Sequence, residues 1–133
     1  MKKATLNWLQ SSEYDIKTAA TLLKNKRYLY VIFMCHLALE KNLKAVLTEM
    51  FKELPPYTHN LNRLLKLGDI VLPDDLQTFV NRINLQSVPT RYPDDFTKLS
   101  KEFDKKITDD YVKQTKRTIK WLRTNIPQLR LKK

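Results

Sequence analysis

Gly68 is the only glycine among 133 residues, and that scarcity removes most of the folds open to a chain of this length. Tight β-hairpins and phosphate-cradling loops need residues that tolerate φ > 0, and glycine does so most freely. With Leu, Lys and Ala plentiful instead, the sequence predicts helices joined by short connections. The expected fold class is all-α, with about five helices. A chain of about this size buries one real core but does not divide comfortably into two, so residues 1–133 are expected to form a single helical domain.

No internal repeat or Ser/Gly linker occurs, and proline with a few polar breaks supplies the punctuation. A first helix is expected from about Thr5 to Asn25, with Leu6, Leu9, Ile16, Ala20 and Leu23 on one side at roughly 100° per residue. A second, about Tyr28 to Phe51, is apolar almost all round in its first half and one-sided later through Leu43, Val46, Leu47 and Met50. At ~1.5 Å per residue it is some 36 Å long and is expected to be central. Pro55 and Pro56 stop it, because proline lacks an amide donor and pushes its predecessor out of the helical region.

A short helix follows from about His59 to Leu67, ended by Gly68. Pro73-Asp74-Asp75 opens another that reaches about Leu85, its acidic first turn complementing the helix dipole. Asp94 and Asp95 open a short one to about Phe103. Thr108, followed by Asp109 and Asp110, is the expected start of the last helix, which ends near Ile126-Pro127. The apolar run Tyr28 to Leu39 is broken by His36 and followed by Glu40 and Lys41, well short of the roughly 20 residues of a membrane span, so no membrane is expected. A lone Cys35 and the lack of a leader-like start fit a reducing cytoplasm.

In the last helix Tyr111, Val112, Thr115, Ile119, Leu122 and Ile126 share one arc of roughly 100°, a core-facing stripe. Lys113, Lys116, Arg117, Lys120 and Arg123 share another, with no carboxylate interleaved, which is mildly unfavourable through self-repulsion. The net charge is +11, and the last 37 residues hold twelve Lys/Arg against four Asp/Glu. This local positive field attracts phosphate backbones, nucleotides or an acidic protein, or is simply a solvated face. Trp121, like Trp8, lies off the stripes and suits a second helix contact or a subunit interface.

Several chemistries are excluded. Two histidines and one cysteine are scattered without a His-x-x-x-His or Cys-x-x-Cys spacing, so neither a metal site nor a cofactor is expected. Cys35 lies where the chain is most apolar, a setting that destabilises a thiolate. His36 reads as a hydrogen-bonded core histidine. Glu40 and Lys44 form an i to i+4 pair that reads as surface stabilisation unless it faces a dimer seam. Arg91-Tyr92, between Pro89 and Pro93, either clamps a phosphate and a base or is structural, with Tyr92 plugging the core and Arg91 capping a helix.

Trp8-Leu9, Asp15-Ile16, Ala19, Leu22-Leu23 and Arg27-Tyr28, followed by Phe33, Glu40-Lys41, Leu43-Lys44-Ala45 and Leu47, resemble the first two helices of HEPN (higher eukaryotes and prokaryotes nucleotide-binding) proteins. Thr58-His59-Asn60-Leu61 with Leu64-Leu65, and Pro89-Thr90-Arg91-Tyr92-Pro93-Asp94, are similar to two further marks of a prokaryotic branch. The resemblance implies an antiparallel up-and-down helical bundle of about five helices that often dimerises. It also implies a repertoire from ribonuclease toxins to non-catalytic nucleotide- or protein-binding modules, many encoded beside a minimal nucleotidyltransferase in toxin-antitoxin-like pairs.

The nuclease members carry an Arg followed, after four to six intervening residues, by a His, and no Arg here has a His at that distance; after Arg91 those positions hold Phe96, Thr97 and Lys98. The Gln pair frequent in the family's second helix is replaced by His36 and Leu37. An Arg91–His59 pair brought together by folding or across a dimer would restore a base and a cation for RNA cleavage; otherwise His59 is a cap or packing residue. The expected function is therefore a basic homodimer that binds nucleotide, RNA or a nucleotidyltransferase partner, more a binder than an enzyme. An active ribonuclease toxin and a purely protein-binding scaffold are the alternatives.

Overall fold

Residues 1–129 are described in the computed structural model. They form six α-helices, α1 (Lys3–Lys24), α2 (Tyr28–Met50), α3 (Leu61–Leu67), α4 (Asp74–Leu85), α5 (Phe96–Glu102) and α6 (Lys105–Asn125), with a 3-10 turn at Pro127–Leu129. The expected all-α bundle is what forms, with the count of about five becoming six. α2 is its axis: 15 of its 23 residues are buried, and it packs on α1, α3, α4, α6 and the 3-10 turn. No helix among the described residues is long and apolar enough to cross a membrane.

α1 turns a different face inward from the one its apolar residues predict. Thr5, Leu9, Ser12, Asp15 and Ala19 are buried, whereas Leu6 is 41% exposed and Ala20 is exposed. The seam with α2 is largely polar. Thr5 Oγ1 donates to Glu49 Oε1 at 2.8 Å, Ser12 Oγ donates to the Ala38 carbonyl at 2.7 Å, and Lys41 Nζ meets Asp15 Oδ2 at 2.8 Å. Thr5 near the start of α1 meets Glu49 near the end of α2, while Ser12 and Asp15 meet Ala38 and Lys41 further back, so the two helices run antiparallel. A reading that counts only apolar residues misses a face whose polar groups satisfy one another.

Two connections use the left-handed region, and neither uses the glycine for it. Lys26 (φ 61) and Asp69 (φ 52) occupy it, while Gly68 has φ −86. Lys26 N donates to Leu23 O and Arg27 N to Leu22 O; Asp69 N donates to Lys66 O and Ile70 N to Leu65 O. Both pairs are Schellman closures, which satisfy the last helical carbonyls. At Gly68 the room is tight instead: a Cβ there would stand 3.0 Å from Ile70 Cδ1 and 3.3 Å from Leu47 Cδ2, so those side-chain ends would have to give by a few tenths of an ångström.

The start of the last helix is also corrected. Asp104, not Thr108, caps α6, its side chain accepting from Ile107 N at 2.9 Å, and Thr108 is buried in the helix. Aspartate caps as well as threonine and adds a charge that suits the helix N-terminus. The predicted stripe holds: Tyr111, Val112, Thr115 and Leu122 are buried, with Ile119 and Ile126 packed beside them. Tyr111 bridges Phe79 and Phe103 edge-to-face, at 5.6 and 5.7 Å. Trp8 and Trp121 pack partly into the same core.

Candidate functional site

Glu40 and Lys44 are not a surface pair. They are 4% and 6% exposed, with Lys44 Nζ 3.0 Å from Glu40 Oε2 and 5.7 Å from the Trp8 ring centroid. An isolated buried carboxylate is costly, so its neighbours must neutralise it. His59 supplies the second partner, with Nδ1 2.8 Å from Glu40 Oε1. It neither caps nor packs as the sequence predicts, because Asn60 caps α3, its Oδ1 accepting from Asn62 N and Arg63 N. A carboxylate can only accept, so His59 donates from Nδ1, and Nε2 of this largely exposed ring is turned away from Glu40.

His36 lies beneath them, fully buried. Among the described residues neither ring nitrogen makes a hydrogen bond of full geometry, and Asn84 is the side chain that approaches the ring as a hydrogen-bond partner. Burial, helped by the positive charges of Arg91 and His59 and opposed by Glu40 and Asn84, pushes its pKa down to about 4. The ring is neutral at pH 7. Asn84 itself ties α4 to α3, accepting from Leu61 N at 2.9 Å. Nothing in its sequence context marks it out, since its role depends on a helix pairing.

Arg91 and Tyr92 take neither structural role considered for them. The Arg91 guanidinium stacks 4.2 Å from the Phe33 ring centroid, and its buried Nε has no hydrogen-bond partner among the described residues. Tyr92 is 75% exposed, while Thr90 is the buried residue of that connection. Two adjoining hollows of about 340 and 460 Å³ share Tyr30 and Arg91. Arg91 and His59 are engaged apart, one on Phe33 and the other on Glu40, and the buried His36 feels both charges. The Cys35 thiol is buried and pushed up to about 12, which leaves it unreactive as a nucleophile.

The basic flank of α6 divides in two. Lys113 pairs with Asp109 at 3.3 Å and Arg117 with Asp75 of α4 at 2.9 Å, so carboxylates from one turn back and from another helix do interleave. Lys116, Lys120 and Arg123 have no carboxylate partner among the described residues and line a groove of about 710 Å³ between α1 and α6. Asn42, 2% exposed, also lines it, and its Oδ1 has no partner among those residues. Sequence reasoning passed over Asn42 because it falls within the helix read for its apolar positions.

A bundle built around one buried helix, with residues of that helix, the α3 entry and the Arg91 connection gathered around one histidine, defines a distinct class of helical domain. The chain belongs to the HEPN domain family, whose model it matches over residues 5–125. It is similar to the crystal structure of TT1696 from Thermus thermophilus, at 18% identity and a TM-score of 0.79 over 92% of this chain and 98% of that one. It is also similar to ST0689, an archaeal HEPN homologue, at 21% identity and a TM-score of 0.73 over 95% and 99%. Among curated proteins nothing matches. At such identities the structural likeness carries the fold alone.

Proposed function

We propose that this HEPN-domain protein works as a basic helical homodimer that binds phosphate-bearing ligands, RNA or nucleotide, and engages a minimal nucleotidyltransferase in a toxin-antitoxin-like module. The observation that carries the reading is the row Lys116, Lys120 and Arg123, three cations without a carboxylate partner among the described residues, on one wall of a groove. They lie within about 10 Å along the helix and repel one another until an anion joins them. Phosphates are the anions such rows bind. Tyr30, Tyr92 and Phe96, 55%, 75% and 65% exposed, supply an aromatic face suited to a second copy. The nucleotidyltransferase partner follows from the family resemblance.

The test is binding of a single-stranded RNA across a salt series by the parent and by a Lys116→Glu, Lys120→Glu, Arg123→Glu variant. At about 0.7 per phosphate contact on a single strand, losing three contacts should flatten the slope of log K against log salt by about 2. Equal slopes would reduce the row to a solvated face.

A second reading, RNA cleavage, has one observation in its favour. The Glu40 carboxylate orients the His59 ring and leaves Nε2 free, as a general base requires. Arg91, engaged on Phe33, is not paired with it, so the purified protein is expected not to cleave bulk RNA rapidly. Rapid cleavage abolished by His59→Ala or Arg91→Ala would replace the binding reading with this one.

A further inference from the structure

We propose that the groove between α1 and α6 is a site for a small amphiphilic organophosphate, a molecule with an apolar or ring-shaped body carrying one or two phosphates. The inference rests on the phosphate-binding reading of the α6 flank and adds what the rest of the ligand must be.

The groove has unlike walls. Its volume of about 710 Å³ lies within the range of roughly 300–1,000 Å³ typical of small-molecule sites, whereas a strand lying along a basic helix needs no cavity. Leu9 and Leu129 close the bottom, and the half-buried Ile16 and Ile119 keep apolar surface open above them. Aliphatic surface of this kind gains by burial against an apolar or aromatic body. Lys116, Lys120 and Arg123 stand along the α6 side. A phosphate carries roughly −1.5 to −2 at neutral pH, so three cations balance one or two phosphates and no more.

Two further residues narrow the choice. The Asn42 Nδ2 group is held by Ser12 Oγ and by the Ala38 carbonyl at 3.3 Å, so only its unpartnered Oδ1 is unused. A buried acceptor without a donor is unfavourable; the atom is closed off from the groove as it stands, so a ligand N–H or O–H satisfies it by parting the inner wall. Glu13 is the carboxylate of the rim, exposed and held by Lys17 at 3.3 Å. Its charge opposes phosphates anywhere but the α6 side and disfavours an occupant charged along its whole length.

The experiment measures calorimetric binding of ADP, geranyl diphosphate and inorganic pyrophosphate, with a 12-nucleotide RNA beside them. The parent, Ile16→Phe and Lys116→Glu/Lys120→Glu proteins are compared. ADP or geranyl diphosphate should bind at least tenfold more tightly than pyrophosphate, and whichever does so identifies the body. Ile16→Phe, which fills the groove, should weaken that ligand tenfold or more while leaving RNA affinity within twofold; the charge reversal should weaken both. Should circular dichroism show Ile16→Phe unfolded, Glu13→Phe at the exposed rim blocks the same space. Pyrophosphate binding as tightly as the larger ligands, or groove-filling without effect, overturns the inference. RNA binding with no small ligand bound at millimolar concentration also overturns it but leaves the phosphate-binding reading standing. No binding by any of the four defeats both.

Discussion

Lowering the pH should destabilise this protein through His36 in particular. Burial takes its pKa from 6.5 to about 4, so the folded protein keeps the ring neutral where the unfolded chain already takes up a proton. Stability from this residue is therefore complete above pH 6.5, falls as pH drops toward 4, and levels off below that. At about 1.36 kcal/mol per pH unit the whole loss is about 3 kcal/mol, of which about 2 kcal/mol is reached by pH 5. Against a typical stability of about 5–15 kcal/mol the effect is easily read. Urea unfolding followed by circular dichroism at pH 7 and pH 5, on the parent and on His36→Leu, isolates it, since carboxylates common to both proteins cancel in the difference. The variant should lose about 2 kcal/mol less than the parent between the two pH values. Parallel losses would mean that His36 is protonated in the folded state, and that Glu40 faces a charged ring.

Lys26→Gly should stabilise the fold by up to about 1 kcal/mol, because a non-glycine residue in the left-handed region carries a steric cost of about that size or more that glycine's greater unfolded-state freedom only partly offsets. Thermal unfolding that fails to rise would place the strain elsewhere. Light scattering at micromolar concentration should give twice the chain mass, and Tyr30→Glu with Phe96→Glu should reduce it to one; a parent already at one chain mass would remove the dimer from the proposed function.

Much of the bundle was legible because its signals are local. Prolines at 55, 56 and 73 and the dense apolar segment before Glu40 set helix limits that agree closely with α2 and α4. The α6 stripe was legible because its six core positions follow the helical period, the one polar member, Thr115, satisfying its hydroxyl on the Tyr111 carbonyl of its own helix. The α1 face was not, since Ser12 and Asp15 count as outward residues until Ala38 and Lys41 are seen to satisfy them. The candidate sites were legible in residue type more than in arrangement. Lys116, Lys120 and Arg123 stood out as cations, but so did Lys113 and Arg117, and only the approach of Asp75 from α4 and the turn that brings Asp109 beneath Lys113 separate the paired from the unpaired.

By itself, then, the sequence determined that the chain is helical, where most helices begin and end, which helix is central, and that its positive charge gathers near the C-terminus. These follow from periodicity, backbone preference and counting, which act over a few residues at a time. Only the tertiary structure decided that Glu40 is buried between Lys44 and His59, that His36 is held neutral by burial, and that three of five cations border a groove closed by Leu9 and Leu129. Burial and charge pairing depend on residues distant in sequence, such as Glu40 and His59 or Asp75 and Arg117. No local pattern encodes which of them will meet.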